Sequence, residues 1–209
     1  MNLYVQYGCG LSAPEGWVNF DSSPTLRLQK FPLIGEIAKK KVHFPDNVKY
    51  GDIIKGLPDI KRNSCDGIYC SHVLEHLCLN DFKKALDNTY ILLNNSGIFR
   101  CVLPDLQFSI NEYLIQKQNK DTNASINFLK STMLGVVERP ASLKEKVFNM
   151  FGNSKHLWMW DAESMKEYLL QAGFSSVRLC SFNDSKDPMF KLVEEESRFY
   201  AAIAFECYK

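Results

Sequence analysis

No stretch of this chain is apolar for long enough to form a bilayer-spanning helix, which removes integral helical membrane classes. Charge of one sign is also missing. Lys and Arg number 25 and Asp and Glu 24, a net charge of +1, so there is no electrostatic case for a nucleic-acid or membrane-surface partner. The run Lys39-Lys40-Lys41 reads as a solvated face. The residues before Gly8 are too few and too uncharged for a signal peptide. The seven cysteines are scattered and odd in number, with no paired framework. Cys65, Cys70 and Cys101 lie in or beside apolar segments, where a thiol acts as a small hydrophobe. A reducing, cytoplasmic setting is expected. Internal repeats and low-complexity tracts are absent.

What remains is ordinary globular material: 209 residues, 45% hydrophobic and 23% charged, enough for one domain with a sizeable core. Strands are expected at Leu3–Tyr7, Trp17–Phe20, Val48–Tyr50, Cys65–Cys70, Ile98–Leu103, Val177–Phe182 and Phe199–Tyr208. Phe82, Ala85, Leu86, Thr89 and Leu93 recur at helical spacing behind Asn80, a candidate N-cap. Asp161 caps a second helix that Gly173 ends. Residues 106–157 hold no strand candidate. Their apolar positions at Leu106–Ile115, Ile126–Val137 and Leu143–Phe151 read as helices. Alternating strands and helices imply an α/β fold with a mostly parallel, Rossmann-like sheet. The two late strands, lacking a clear helix between them, imply an antiparallel element at one edge. The expected organisation is a single domain over 1–209, with 106–157 as a helical lid over the acceptor side.

Ligands of such sheets bind beyond the carboxyl ends of the strands. Gly8-Cys9-Gly10-Leu11-Ser12-Ala13 fits G-x-G-x-x-G/A, but Pro14 and Gly16 argue against the long helix that holds a pyrophosphate. Asp21 also follows the glycines too soon for the acidic residue of a dinucleotide site. A ligand with a ribose and no pyrophosphate fits better. The glycines let the backbone approach it, Asp21 can accept from a ribose diol, and Asp52 can reach an adenine edge.

These pieces resemble the class I S-adenosylmethionine-dependent methyltransferases. The match is to a small subgroup with the layout GCG, GW-x-N-x-D, GD, SHVLEHL and PD. Here they stand as Gly8–Gly10, Gly16–Asp21, Gly51-Asp52, Ser71–Leu77 and Pro104-Asp105, with a later match at His156–Phe174. The resemblance implies S-adenosylmethionine as cofactor. It puts Gly8, Cys9 and Gly10 on the methionine and ribose side, Asp21 with Ser22 at the ribose, and Asp52 with Ile53 beside the adenine. Ser71 and His72 would border the reactive sulfur. Gln6 stands where the family usually has an acid, and the first crossover helix is almost deleted between Gly10 and Asp21. The first strand begins at Leu3 with no cap helix before it.

Methyl transfer to a hydroxyl needs a base of near-neutral pKa. His72, His156 and Asp105 are the candidates, for a small-molecule or glycan acceptor. His72-x-x-Glu75-His76 also spells the H-x-x-E-H pattern of some zinc peptidases. Its place just after a buried strand leads to the expectation that no metal is held there, with a zinc hydrolase as the minor alternative. A non-catalytic cofactor-binding partner subunit is the other. Glu194-Glu195-Glu196 and Arg198 read as a solvated turn.

Overall fold

The computed structural model describes residues 2–30, 43–138 and 155–209. Its core is a seven-stranded sheet in the order β3-β2-β1-β4-β5-β7-β6. The strands are β1 (Tyr4–Tyr7), β2 (Val18–Asp21), β3 (Val48–Tyr50), β4 (Cys65–Ser71), β5 (Leu93–Pro104), β6 (Ser176–Leu179) and β7 (Ala202–Tyr208). β1 to β5 are mutually parallel. β7 runs antiparallel to both β5 and β6. The expected α/β sheet therefore forms, with the reversed strand second from the edge. All four residues of β1 are buried, as an interior strand of a parallel sheet requires.

The helices are α1 (Pro24–Gln29), α2 (Leu79–Leu92), α3 (Leu106–Gln118), α4 (Ala124–Ser131) and α5 (Ala162–Gln171). One sheet face carries Val5, Tyr7, Ile68, Cys70, Phe99, Cys101, Ile203 and Phe205, packed with Phe82 and Leu86 of α2 and Met165 and Leu169 of α5. Each of these alternates with a residue on the other face, as the pleat dictates. α5 starts where expected, with the Asp161 carboxylate accepting from the Ser164 amide at 2.8 Å. α2 starts at Leu79, and Cys78 rather than Asn80 is the N-cap, without a side-chain bond. α1 was not anticipated; Ser23 caps it and Pro24 occupies its first turn, a pairing that favours helix starts.

β1 and β2 are joined through residues 8–17 by turns alone, so no crossover helix covers that part of the second face. The C-terminal segment fills the gap. Trp17 stands between Tyr4 and Phe190, with ring centroids 5.2 and 5.5 Å away. Its Nε1 donates to the Met189 carbonyl at 3.1 Å, and the Tyr4 hydroxyl donates to Asp187 at 2.8 Å. Gly67 makes room for this layer: a Cβ there would lie 2.7 Å from Tyr4 and 3.1 Å from Phe190.

The same segment is tied down by a buried ion network. Arg100, 1% exposed, donates to Glu194 at 2.6 Å, to Asp184 at 3.0 Å and to Glu206 at 2.7 Å. Arg178 adds bonds to Glu206 and Asp184. Glu194 is thus not part of a solvated turn. Its side chain is fully buried, and only Glu195 and Arg198 form the expected exposed pair.

After β5, α3 and α4 pack through Tyr113 and Phe128. α3 buries none of its residues. The helix expected at Leu143–Phe151 and the run Lys39–Lys41 lie outside the described residues.

Candidate functional site

The carboxyl ends of β1, β2, β3, β4 and β5 share one edge, so Gly8–Gly10, Asp21, Asp52, Ser71-His72 and Asp105 come together there, as the sequence order requires. Gly8 and Gly10 have φ of +65° and +55°, conformations that cost an L side chain about 1–2 kcal/mol. The two differ in surroundings. A Cβ at Gly8 would lie 2.2 Å from Val73 Cγ2, whereas one at Gly10 would meet nothing within 4 Å. Gly8 is therefore required by packing, and Gly10 opens onto free space.

The loop is held from both sides. Gln6, in the position of the expected acid, is buried and donates through Nε2 to the Ser12 carbonyl at 2.7 Å and to Asn19 Oδ1 at 2.6 Å. Asn19 Nδ2 donates to the Trp17 carbonyl at 3.1 Å. Asp21 accepts from the Gly10 amide at 2.9 Å and from the Ser23 amide at 2.7 Å. Each of its oxygens keeps a second lone pair for a hydroxyl. Burial, then the Asp21 charge, pushes the Cys9 thiol up to about 12, which removes it as a nucleophile. Asp52 caps the short turn Ile53–Lys55 by accepting from the Ile54 amide at 3.0 Å, and Ile53 is buried beneath it.

Gln6, Gly8, Cys9 and Ser71 line a cleft at this edge, closed on the far side by Val193 and Arg198. Tyr69 Oη and Ser71 Oγ are buried without hydrogen-bond partners among the described residues. Unpaired polar atoms of residues lining this cleft fit a polar ligand that would satisfy them.

His72 follows Ser71 with φ of +54°, a strained conformation that recurs at functional sites. Its Nε2 lies 2.9 Å from the Arg198 carbonyl and its Nδ1 3.4 Å from Glu75 Oε1. His76 Nε2 and His156 Nε2 each lie 3.9 Å from that same oxygen. The segment carrying His156 is fixed there by the Glu75 carbonyl, which accepts from the amides of Leu157 at 2.8 Å and Trp158 at 3.1 Å. Burial lowers the imidazole of His72, but Glu75 and the Arg198 carbonyl outweigh it, so the net direction is up. For His156 burial wins over Glu75, and the direction is down.

Of the three base candidates, His72 and His156 thus converge, while the Asp105 carboxylate caps α3 by accepting from the Gln107 amide at 2.8 Å. Glu75 and His76 are the residues that the expected site omits. The visible signal was an acid inside the apolar run V-L-E-H-L. The H-x-x-E-H helix of a zinc peptidase does not form: His72 follows the end of β4, and Leu74–His76 is a single 3-10 turn.

Residues 7–101 match the family model described as "Methyltransferase domain". No curated protein matches the chain. Among solved structures, the chain is similar over its whole length to a SAM-dependent methyltransferase from Archaeoglobus fulgidus, at 16% identity, 86% coverage of that chain and a TM-score of 0.54. It is likewise similar to a SAM-dependent methyltransferase from Thermotoga maritima, at 16% identity, full coverage of this chain, 83% of the other and a TM-score of 0.52. A structure of PigF with SAH gives 14% identity, full coverage of this chain, 50% of the other and a TM-score of 0.51. At such identities the structural likeness speaks for the fold, and the matched domain speaks for the chemistry. Residues 7–101 match a methyltransferase domain model, the sheet is the Rossmann-like one of the methyltransferase structures above, and the protein is an enzyme whose cofactor is S-adenosylmethionine.

Proposed function

We propose that this enzyme moves a methyl group from S-adenosylmethionine to a hydroxyl of a small molecule or glycan. Gly8, Cys9, Gly10, Asp21, Ser22, Asp52, Ile53, Ser71 and His72 are the residues that would hold the cofactor. The bound sulfonium supplies an activated methyl group, so the chain's own work is to align the acceptor, exclude water and take a proton. The observation that carries the hydroxyl reading is the convergence of His72 and His156 on Glu75 next to Ser71. An amine acceptor that is already neutral needs no such base. A hydroxyl does, and a buried imidazole held neutral is suited to it. Asp105, engaged as a helix cap, is the weaker base candidate. The described parts of 106–157, residues 106–138 and 155–157, would border the acceptor as a lid. The seven free cysteines, five of them buried, support a reducing, cytoplasmic setting.

The test is transfer of labelled methyl from the cofactor to a panel of alcohols, phenols, glycans and amines. Labelling confined to hydroxyl acceptors is expected. Labelling of amines alone, or turnover that does not respond to His156→Ala, would sink the reading.

A further inference from the structure

Glu75 is an anomaly that methyl transfer alone does not explain. It is fully buried, and neither of its carboxylate oxygens has a hydrogen-bond partner among the described residues. Burying an uncompensated carboxylate costs several kcal/mol. What surrounds it is nitrogen. One ligand atom from each of Glu75, His76 and His156 lies within 4.8 Å of the others. The two imidazole rings sit edge to face, with centroids 4.9 Å apart.

The ring orientations sharpen the point. A backbone carbonyl can only accept, so the 2.9 Å contact of His76 Nδ1 with the Lys155 carbonyl puts the proton on Nδ1. The neutral ring then turns the lone pair of Nε2 toward Glu75. His72 Nε2 donates to the Arg198 carbonyl, and its Nδ1 lies 3.4 Å from the same Glu75 oxygen. Acceptors aimed at an acceptor repel, unless a cation lies between them. His76 donates its other ring N–H to a carbonyl, as metal-ligating histidines almost always do, while His156 Nδ1 is buried without a partner among the described residues. Ligands around a tetrahedral ion with bonds near 2.0–2.1 Å stand about 3.3 Å apart. The 3.9 Å separations of Glu75 Oε1 from His76 and His156 need only a small contraction to match.

We propose that Glu75, His76 and His156 form a binding site for one divalent first-row transition metal ion, with His72 positioning the carboxylate. Two imidazoles and a carboxylate suit zinc best among common ions. Three protein ligands leave a coordination position open for an oxygen, either water or the acceptor. Such a site departs from the expectation that the H-x-x-E-H stretch holds no metal; its third ligand comes from His156, far along the chain. The ion's role toward the acceptor rests on the hydroxyl reading above, but metal binding itself does not.

The whole protein, stripped with chelator, is titrated calorimetrically with zinc, and S-adenosylhomocysteine affinity is measured in parallel to report folding. One zinc per chain is expected. His76→Ala and His156→Ala should each weaken zinc at least about 100-fold, more than the 10–100-fold typical of outer-shell changes. His43→Ala, altering an exposed histidine away from the cluster, should not. The visible spectrum of the wild-type protein with cobalt keeps the test decisive should a variant misfold: ligand-field bands of a nitrogen and oxygen site are expected. No zinc uptake by the wild type, zinc retained equally by both histidine variants, or a thiolate charge-transfer band would overturn the proposal. None of these outcomes disturbs the cofactor reading, which the S-adenosylhomocysteine affinity tests separately.

Discussion

Nε2 of His156 lies 3.9 Å from Oε1 of Glu75, although Glu75 follows β4 and His156 lies just before α5. The contact joins the segment before α5 to the end of β4, where Ser71 and His72 precede Glu75. His156→Ala and Glu75→Gln should each lower turnover by about 10²–10³, because the first removes the imidazole and the second the carboxylate on which it converges, whether the pair takes the proton itself or holds an ion that acidifies the acceptor hydroxyl. S-adenosylhomocysteine affinity should change less than threefold. An equal loss of cofactor affinity in calorimetry would put His156 in the wrong pocket.

The two glycines of the first loop should separate stability from binding. Gly8→Ala drives a Cβ into Val73, which costs about 1–3 kcal/mol in overlap, in addition to the penalty for positive φ. Gly10→Ala meets nothing and pays only the conformational part, about 1–2 kcal/mol. Thermal unfolding should rank Gly8→Ala as the less stable. S-adenosylhomocysteine binding to protein that remains folded should rank Gly10→Val as the weaker binder. The opposite ranking in both measurements would mean that Gly10 does not face the cofactor.

Asp21 carries two loads. Its carboxylate ties the glycine loop to the start of α1 through two backbone amides, and charge-assisted bonds of this kind are worth about 1.5–3 kcal/mol each at most. Asp21→Ala should therefore lower stability by about 2–3 kcal/mol in urea unfolding as well as weakening the cofactor. Asp21→Asn, which keeps one acceptor oxygen, should lie between. A variant of unchanged stability would show that the loop does not depend on these bonds.

The strands at Val48–Tyr50 and Cys65–Ser71 were legible because each is a short β-branched or apolar run closed by Gly51-Asp52 or Ser71-His72. The edge residues followed from strand order alone, since parallel strands must end on one side. Other features depended on pairings distant in sequence. Nothing local tells that Glu194 is buried, because its partner Arg100 sits on β5 and meets it only after the C-terminal segment folds back. The filling of the missing crossover helix by Trp17 and Phe190 is equally non-local. Glu75 and His76 were visible as a motif, but their third partner, His156, could be recruited only through the Leu157 and Trp158 amides on the Glu75 carbonyl.

The network that anchors the C-terminal segment should show itself in acid. Burial pushes the Asp184 carboxyl up, but Arg178, the Ser181 amide and Arg100 more than offset this and hold it at about 2. The unfolded value is about 3.9. A folded pKa below the unfolded one adds stability that is complete above about pH 4 and is lost as pH falls toward about 2. Glu206 has the same sign: burial is outweighed by bonds from Ser185, Tyr208, Arg100 and Arg178. Glu194 has the opposite sign, because its burial dominates over the Asn183 amide and Arg100. Its charged form costs stability, so its protonation relieves part of the acid loss. The melting-temperature gap between wild type and Asp184→Asn should therefore be widest near neutral pH, shrink between about pH 4 and 2, and nearly close below that. A gap that stays constant across this window would show that Asp184 acts through shape and hydrogen bonding rather than through its charge. Arg100→Met, which leaves Asp184 and Glu206 with Arg178 and takes from Glu194 its ion-pair partner, should destabilise by about 3–5 kcal/mol at neutral pH and recover part of that on acidification, the reverse of the Asp184→Asn trend.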